Sequence, residues 1–591
     1  MTQSNEIVSL AERRSAAAAD SPDAPPIAVL KFGHSVFQTP DDVTRVANEI
    51  YRHVREGWRV VAVMSAIGGE TGDLLRLAED LEETPNPEHL PKLLRVGEYK
   101  AAALTALALS RIGVAAVLAD PQDFGLTAEG DLLDANLASV DAAWLKARLS
   151  EVGVVVAPGF LAYDEKGRLA ALGRGGTDLT AVFLAEELEA DRVRLLKDVD
   201  GVYQADPKAE GESPGRFATT SWDICVEVGG AVVQPKAVTE AKERGQTLEV
   251  ASYGREDATL VGDLDTTFHI AAAPPRLKVA LLGLGAVGRG VYEHLIKHPE
   301  YFEIVNVLVR SPKKYQGVIA HKDRLTSDAA SVGTSGADLV VELIGGLTDA
   351  RDHVIDALKR GADVVSANKT LVAYHYPELV EAAGAAASLR YSAAVAGGIP
   401  VIEEIDRSAG KRPIRKIEAL LNGTCNFILG KLEEGGSLDA AVKTAQDKGF
   451  AEADPSADVD GRDAAEKLAI LARHAFGVSV PMDEVAAESL RTLKDGAVAD
   501  AVRRGKAVKQ IARCEKNDDG LSLAVRLEEV DAASPFAKAK AEAGCAKIYY
   551  EDGGVVTLTG KGAGRWPTSE AVFADIMDVW RKKAMSGDAG G

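Results

Sequence analysis

Gly283-Leu284-Gly285-Ala286-Val287-Gly288 follows directly on an apolar β-type run, KVALL, and opens the helical stretch VGRGVYEHLIKH. Three glycines at this spacing, between a strand and a helix, are the first turn of a dinucleotide-binding βαβ unit. Gly283 allows the tight turn, Gly285 lets a pyrophosphate reach the backbone, and the helix N-terminus adds aligned N–H dipoles. A tight turn with close helix packing is the bland alternative, and it does not require all three glycines.

The rest of the chain alternates in the same way. In a first block, RVVAVMSA, VGVVVAPGF and RVRLLKD read as buried parallel strands, with YKAAALTALALSRI and LTAVFLAEELEA as helices between them. A second block repeats the pattern with KVALLGLG, EIVNVLVR, ADLVVELIGG and ADVVSAN. Such repetition implies an α/β fold with mostly parallel sheets, whose ligands gather at the carboxyl ends of the strands. HIAAAPPR (269–276) suits a connection between the blocks, because its proline pair does not belong inside an element.

Composition narrows the function classes. At 591 residues the chain is long enough for several domains. A formal net charge of −21 argues against a nucleic-acid backbone as main partner, since phosphate binding needs a basic face. No run of about 18 apolar residues exists, so no membrane span is expected. The four cysteines show no C-x-x-C spacing, which suits a reducing cytoplasm. The first 25 residues and the terminal SGDAGG read as tails.

Individual residues then stand out. The strand after the glycine turn ends at Arg310, where an acidic residue would bind the ribose 2′-hydroxyl of NAD; with Lys313 and Lys314 it favours a 2′-phosphate, hence NADP. A solvated basic turn is the alternative. Lys369 stands at the carboxyl end of the strand ADVVSAN, in Ser366-Ala367-Asn368-Lys369, and faces the cleft. Asp463 and Lys467 share one helix face at i, i+4, as either a surface ion pair or a catalytic one. Glu452, Asp454, Asp458 and Asp460 crowd the preceding loop, out of register for a calcium loop.

Together with the glycine turn, the segments VVELIGG, SANKTLVA, AAVAGGIP, NGTCNFIL, residues 449–477, SPFA and GKGAGRWPTSEAVFADI resemble the homoserine dehydrogenase family over residues 276–580. The resemblance implies reversible reduction of L-aspartate 4-semialdehyde to L-homoserine with NADP(H) or NAD(H), a step in threonine and methionine biosynthesis. It makes Lys467 the proton-transfer lysine, Asp463 its acidic partner and Glu452 the carboxylate that holds the substrate amino group. Lys369 lies beside cofactor and substrate. Gly283, Gly285, Val287, Gly288, Arg310, Gly345, Ser366, Lys369 and Gly564 are the cofactor-contacting positions. The family also ligates a monovalent cation, Na+ or K+, with a glutamate and backbone carbonyls. Ser392 stands in the glutamate's place, leaving the carbonyls of Val395, Gly397 and Ile399.

GRGGTDLTAVFLAEEL (173–188) and LLKDVDGVYQADPK (195–208) make the first block similar to the amino-acid kinase family, most closely aspartokinase. The resemblance brings Mg-ATP and L-aspartate, with Lys31 and Ser35 at the phosphates, Glu98 and Arg174 at the aspartate, and Lys197, Asp198, Tyr203 and Asp206 at the nucleotide. The family's opening Lys-Phe-Gly-Gly-Thr-Ser-Val is here Lys31-Phe32-Gly33-His34-Ser35-Val36, shorter by a residue, with a glycine and a threonine lost. Two readings stay open: a degenerate kinase, or a bifunctional aspartokinase/homoserine dehydrogenase. No room is left between the blocks for the regulatory domains common in aspartokinases. The expected order is a tail (1–25), a kinase-like α/β sandwich (26–265), a linker (266–275) and a Rossmann NADP-binding domain (276–400). An α+β substrate and dimerisation domain (401–555), a segment returning to the Rossmann domain (556–580) and a tail (581–591) follow. A homodimer or larger homo-oligomer is implied.

Overall fold

In a computed structural model of the protein, residues 25–206, 214–230, 232–269, 275–518 and 520–587 are described. The tail expected at the N-terminus lies outside them up to residue 24, as does the centre of the linker.

The first domain is built on a sheet whose central strands are β1 (Ile27–Phe32), β2 (Arg59–Met64), β3 (Val154–Pro158), β4 (Arg192–Lys197) and β5 (Leu248–Ser252). They lie in the order β5-β4-β1-β2-β3 and are all parallel. Their apolar runs do not alternate with polar residues because both faces are covered. Val29, Val61 and Val63 point into one core, against α3 (Gly176–Glu187); Ala28, Leu30, Val60 and Ala62 point into the other, against α1 (Val43–Arg55) and α2 (Leu90–Ile112). A residue's two strand neighbours always face the opposite layer, which gives each strand a place in two cores.

The Rossmann sheet is wholly parallel. Its strands β6 (Leu277–Leu282), β7 (Phe302–Leu308), β8 (Leu339–Glu342) and β9 (Asp363–Ser366) lie in the order β7-β6-β8-β9, with short strands at 325–326 and 389–390 on the two edges. Helix α4 (Ala286–Leu295) follows the glycine turn, and α5 (Lys369–Ala383) follows β9.

After α6 (Val401–Ser408) comes a sheet that includes β10 (Ile414–Ala419), β11 (Lys506–Asn517), β12 (Gly520–Asp531), β13 (Ala543–Tyr550) and β14 (Val555–Lys561), antiparallel to one another in the order β12-β11-β10-β13-β14. Helices α7 (Gly423–Glu433) and α8 (Arg462–Phe476) pack on it, and α9 (Arg565–Gly587) returns to the Rossmann sheet. Two expected boundaries move. Residues 556–561 pair with β13, so the return begins only after Lys561. Helix α9 runs on to Gly587, into the segment expected as a tail, because Trp580 is buried and donates its Nε1–H to the Pro275 carbonyl (2.8 Å), with Arg581 paired to Asp578.

α9 also faces the first domain. Ala574 lies in the core formed by α1 and α2, and Met577 approaches Gly254.

Candidate functional site

The carboxyl ends of β6, β8 and β9 converge on one crevice. Gly283 has φ +96°, and a Cβ there would stand 2.6 Å from the Leu343 carbonyl oxygen, so only glycine makes this turn. A Cβ on Gly288 would meet the Gly283 carbonyl at 2.3 Å, which lets α4 start directly beneath the turn. Nothing lies within 4 Å of a Cβ at Gly285, leaving the backbone open to a ligand. The next loop is shaped by Glu342, fully buried at the end of β8. Its carboxylate accepts from the Ile344 and Gly345 N–H groups (3.0 and 3.1 Å) and from the Ser366 hydroxyl (2.6 Å). Burial holds the Glu342 carboxyl above the usual range, against those donors. Asn368 caps α5, accepting from Leu371 N–H, and its amide donates to the Gly346 carbonyl at 2.7 Å. These contacts make a cradle of the turns at 283–288, 343–346 and 366–369, and its open glycine backbone fits a dinucleotide.

Lys369, the first residue of α5, reaches out of this cradle to Asp463, with Nζ 3.1 Å from Oδ1. Oδ2 of the same carboxylate accepts from Lys467 Nζ and from Asn422 Nδ2, both at 2.8 Å. Lys467 Nζ also donates to the Leu421 carbonyl at 2.8 Å. Gly461 (φ +80°) starts α8, which puts Asp463 in the first turn and Lys467 one turn on. Burial pushes the Asp463 carboxyl up, but Lys467 and Lys369 outweigh it and hold it below the usual range. Burial works against the charge on Lys369, yet Asp463 holds its pKa above the ordinary lysine value. Beside the cluster, burial raises the Asp458 carboxyl while Asn422 donates to it at 2.6 Å. Two ammonium groups sharing one desolvated carboxylate, at the edge of a cofactor cradle, can donate a proton to an oxygen that gains charge.

Other expected residues fall elsewhere. Glu452 is exposed in the loop before residues 456–459, and its backbone carbonyl, not its carboxylate, is the group held, by Gln446 (3.2 Å). Arg310 is exposed just past β7. Gly564 has φ +115° at the start of the return. At the expected cation site the Ile399 carbonyl accepts from Val401 N–H (2.8 Å), and the Ser392 hydroxyl lies 2.6 Å from Asp575 and 3.2 Å from the Arg55 guanidinium. A fixed positive group from the first domain thus stands at Ser392. Among the described residues no group of three His, Cys, Asp or Glu side chains could hold a metal.

In the first domain, Asp178 is buried between Lys31 (2.7 Å) and Lys197 (3.0 Å) at the ends of β1 and β4. Burial lowers the Lys197 pKa to about 8 against the pull of Asp178, while the two lysines hold Asp178 far below its usual range. His34 sits over this cluster, its pKa lowered by burial and by Lys31 and Lys197. Glu98 is buried near Lys31, and burial raises it to about 8; Thr71 lies 3.4 Å from its Oε1. Arg174 and Asp206 are exposed, Ser35 and Tyr203 half-buried, with the Tyr203 hydroxyl donating to Asp200 at 2.5 Å.

Spacing does not single out Asp178, Asn422, Glu342 and Asn368, because each also works through a partner distant in the chain: Lys31 for Asp178, Asp463 for Asn422, Ser366 for Glu342 and the Gly346 carbonyl for Asn368.

The family model "Homoserine dehydrogenase, NAD binding domain" matches residues 283–391 and "Homoserine dehydrogenase" matches 400–577. The homoserine dehydrogenase of Synechocystis sp. is 37% identical over 317 residues, 51% of this chain and 73% of that protein. This chain belongs to the homoserine dehydrogenase family. The homoserine dehydrogenase of Bacillus subtilis is 33% identical over 52% of this chain and 73% of its own. A solved homoserine dehydrogenase from Thiobacillus denitrificans, 34% identical, covers 53% of this chain and 74% of its own at a TM-score of 0.50. Ahead of its homoserine dehydrogenase part, the chain matches the "Amino acid kinase family" over residues 26–252.

Proposed function

We propose that the chain reversibly reduces L-aspartate 4-semialdehyde to L-homoserine with NADPH. The observation that carries this reading is the pair of lysines on Asp463 at the lip of the cradle. A bound nicotinamide would supply the hydride. Lys467 stabilises the oxygen that gains charge and gives it a proton, while Asp463 holds its ammonium group in place. Lys369 sits where cofactor and substrate meet. Glu452, on an exposed loop, is the carboxylate that takes the substrate amino group. The turns containing Gly283, Gly285, Val287, Gly288, Gly345, Ser366 and Gly564 hold the dinucleotide, and Arg310 with Lys313 and Lys314 favours a 2′-phosphate. Assay of NADPH oxidation with aspartate semialdehyde on wild type and Lys467→Ala tests the reading.

The kinase-like domain works here without phosphoryl transfer, its phosphate loop lacking a residue and a glycine at His34. A second reading, ATP-dependent phosphorylation of L-aspartate with magnesium, is favoured by one observation: the buried Lys31–Asp178–Lys197 cluster is built as a phosphate site would be. Acyl phosphate formation, trapped as hydroxamate, separates the two. We also read residues 401–555 as the homo-oligomer contact. The four buried, unpaired cysteines suit a reducing cytoplasm. The carbonyls of Val395, Gly397 and Ile399 would hold a monovalent cation, Na+ or K+, without the family's glutamate.

A further inference from the structure

Arg55 ends α1 of the first domain, and its guanidinium is buried among three carboxylates of the dehydrogenase part. Nε donates to Glu403 (2.8 Å), Nη2 to Asp575 (2.6 Å) and to the Ser392 hydroxyl (3.2 Å), and Nη1 to Asp578 (3.2 Å). Asp575 also takes the Ser392 backbone N–H at 3.0 Å. The guanidinium therefore ties the turn at 391–403 to α9 and neutralises carboxylates that would otherwise face one another in a buried place.

Both tied elements lead to the cofactor cradle. Two turns before Asp575 on α9, Ser569 donates to the Val287 carbonyl in the first turn of α4 (3.0 Å). The close approach is built in, since a Cβ on Gly290 would meet Ser569 Oγ at 2.3 Å. The turn at 391–403 bears on the segment that contains Gly564: a Cβ on Gly397 would lie 2.6 Å from the Gly562 carbonyl, and Gly398 N–H donates to the Lys561 carbonyl at 3.1 Å. The first domain supports that turn a second time, through the Tyr51 hydroxyl on the Gly398 carbonyl (3.1 Å). At the end of α2, Gly113 packs so closely on Lys561 that a Cβ would lie 2.7 Å from its backbone nitrogen.

We propose that Arg55 is a positioning residue for the dehydrogenase: through it the kinase-like domain holds α9 and the 391–403 turn where the dinucleotide cradle needs them. The first domain is then a required part of the cofactor site whether or not it transfers phosphate. The inference rests on the dehydrogenase reading for the identity of the cofactor.

The test is NADPH binding to the full chain, followed by cofactor fluorescence, alongside steady-state kinetics and thermal unfolding. Arg55→Met is expected to raise the NADPH Kd by about tenfold while the KM for the amino-acid substrate stays within about twofold. Arg55→Lys recovers part of the affinity, and Arg55→Met/Asp575→Asn binds more tightly than Arg55→Met because the most deeply buried of the three carboxylates no longer stands there as an unpaired charge. Arg76→Ala, at an exposed pair with Asp73, serves as the neutral control. Should Arg55→Met not fold, Tyr51→Phe keeps the packing and is expected to raise Kd by about threefold. A folded Arg55→Met, or Tyr51→Phe in its place, with wild-type Kd overturns the proposal. A wild type that binds NADPH but turns over no homoserine refutes the dehydrogenase reading and leaves the Kd comparison intact.

Discussion

Lys369 and Lys467 come from helices of different domains, α5 of the Rossmann sheet and α8 of the following domain, and meet on opposite oxygens of Asp463 at 3.1 and 2.8 Å. One carboxylate therefore joins the two domains across the crevice. It also fixes where a reacting oxygen must sit, beside Lys467 and against the glycine cradle.

Asp463→Asn should separate the two lysines. The carboxyl of Asp463 is held low in the folded chain, so its contribution to stability is present above its unfolded pKa and is lost as pH falls through the lower folded value. The raised Lys369 contributes in the opposite sense, present below its unfolded pKa and lost as pH rises through the folded one. The variant should be less stable than wild type at pH 7, with the gap closing in strong acid. Urea unfolding at pH 7 and below pH 3 measures this; a gap that persists unchanged in acid would remove the ion pair from the account.

Cofactor preference should turn on Arg310. Arg310→Asp removes a guanidinium suited to a 2′-phosphate and adds the carboxylate that suits a 2′-hydroxyl. The kcat/KM ratio of NADPH to NADH is expected to shift by about tenfold or more toward NADH. An unchanged ratio would place the 2′-phosphate away from Arg310.

The first domain should form no aspartyl hydroxamate above a Lys31→Ala control when given L-aspartate, ATP and magnesium. Activity that disappears in both Lys31→Ala and Asp178→Asn would establish the bifunctional reading instead.

Glu570, on α9, is buried 3.4 Å from His294 and lines a small cavity with Asn48 and Arg52 of α1, so the interface between the domains should be pH-sensitive through it. Burial raises this carboxyl to about 8, so the folded chain holds a proton that the unfolded chain releases above its ordinary carboxylate pKa. The contribution of this group to stability should fall as pH rises from about 5 to 8, by at most about 1.4 kcal/mol per pH unit. Glu570→Gln should flatten that slope. Unfolding at pH 5 and pH 8 checks it, and an equal slope in both proteins would mean that Glu570 is ionised in the fold.

The parallel strands and the glycine turn were legible because their signals are local: doubly covered strands are apolar throughout, and Gly283 and Gly288 are sites where a side chain collides. Asp463 and Lys467 were legible for the same reason, four residues apart on one helix. Arg55 was not. A basic residue in the last turn of an amphipathic helix looks like a solvated cap, and its partners Glu403, Asp575 and Asp578 lie more than three hundred residues on. The end of the chain misled for a different reason. The charged and small residues after Trp580 resemble a tail, but the burial of that indole and the Arg581–Asp578 pair carry the helix onward. The early return boundary failed because β14 alternates exposed and half-buried positions, the pattern of an edge strand that composition alone does not reveal.

The most direct measurement is initial-rate NADPH oxidation by purified full-length protein with L-aspartate 4-semialdehyde, run in parallel on wild type and Lys467→Ala. The proposed chemistry predicts robust wild-type turnover and a kcat lower by about 10²–10⁴ in the variant, with NADPH still bound. Wild-type-like turnover by Lys467→Ala would contradict it.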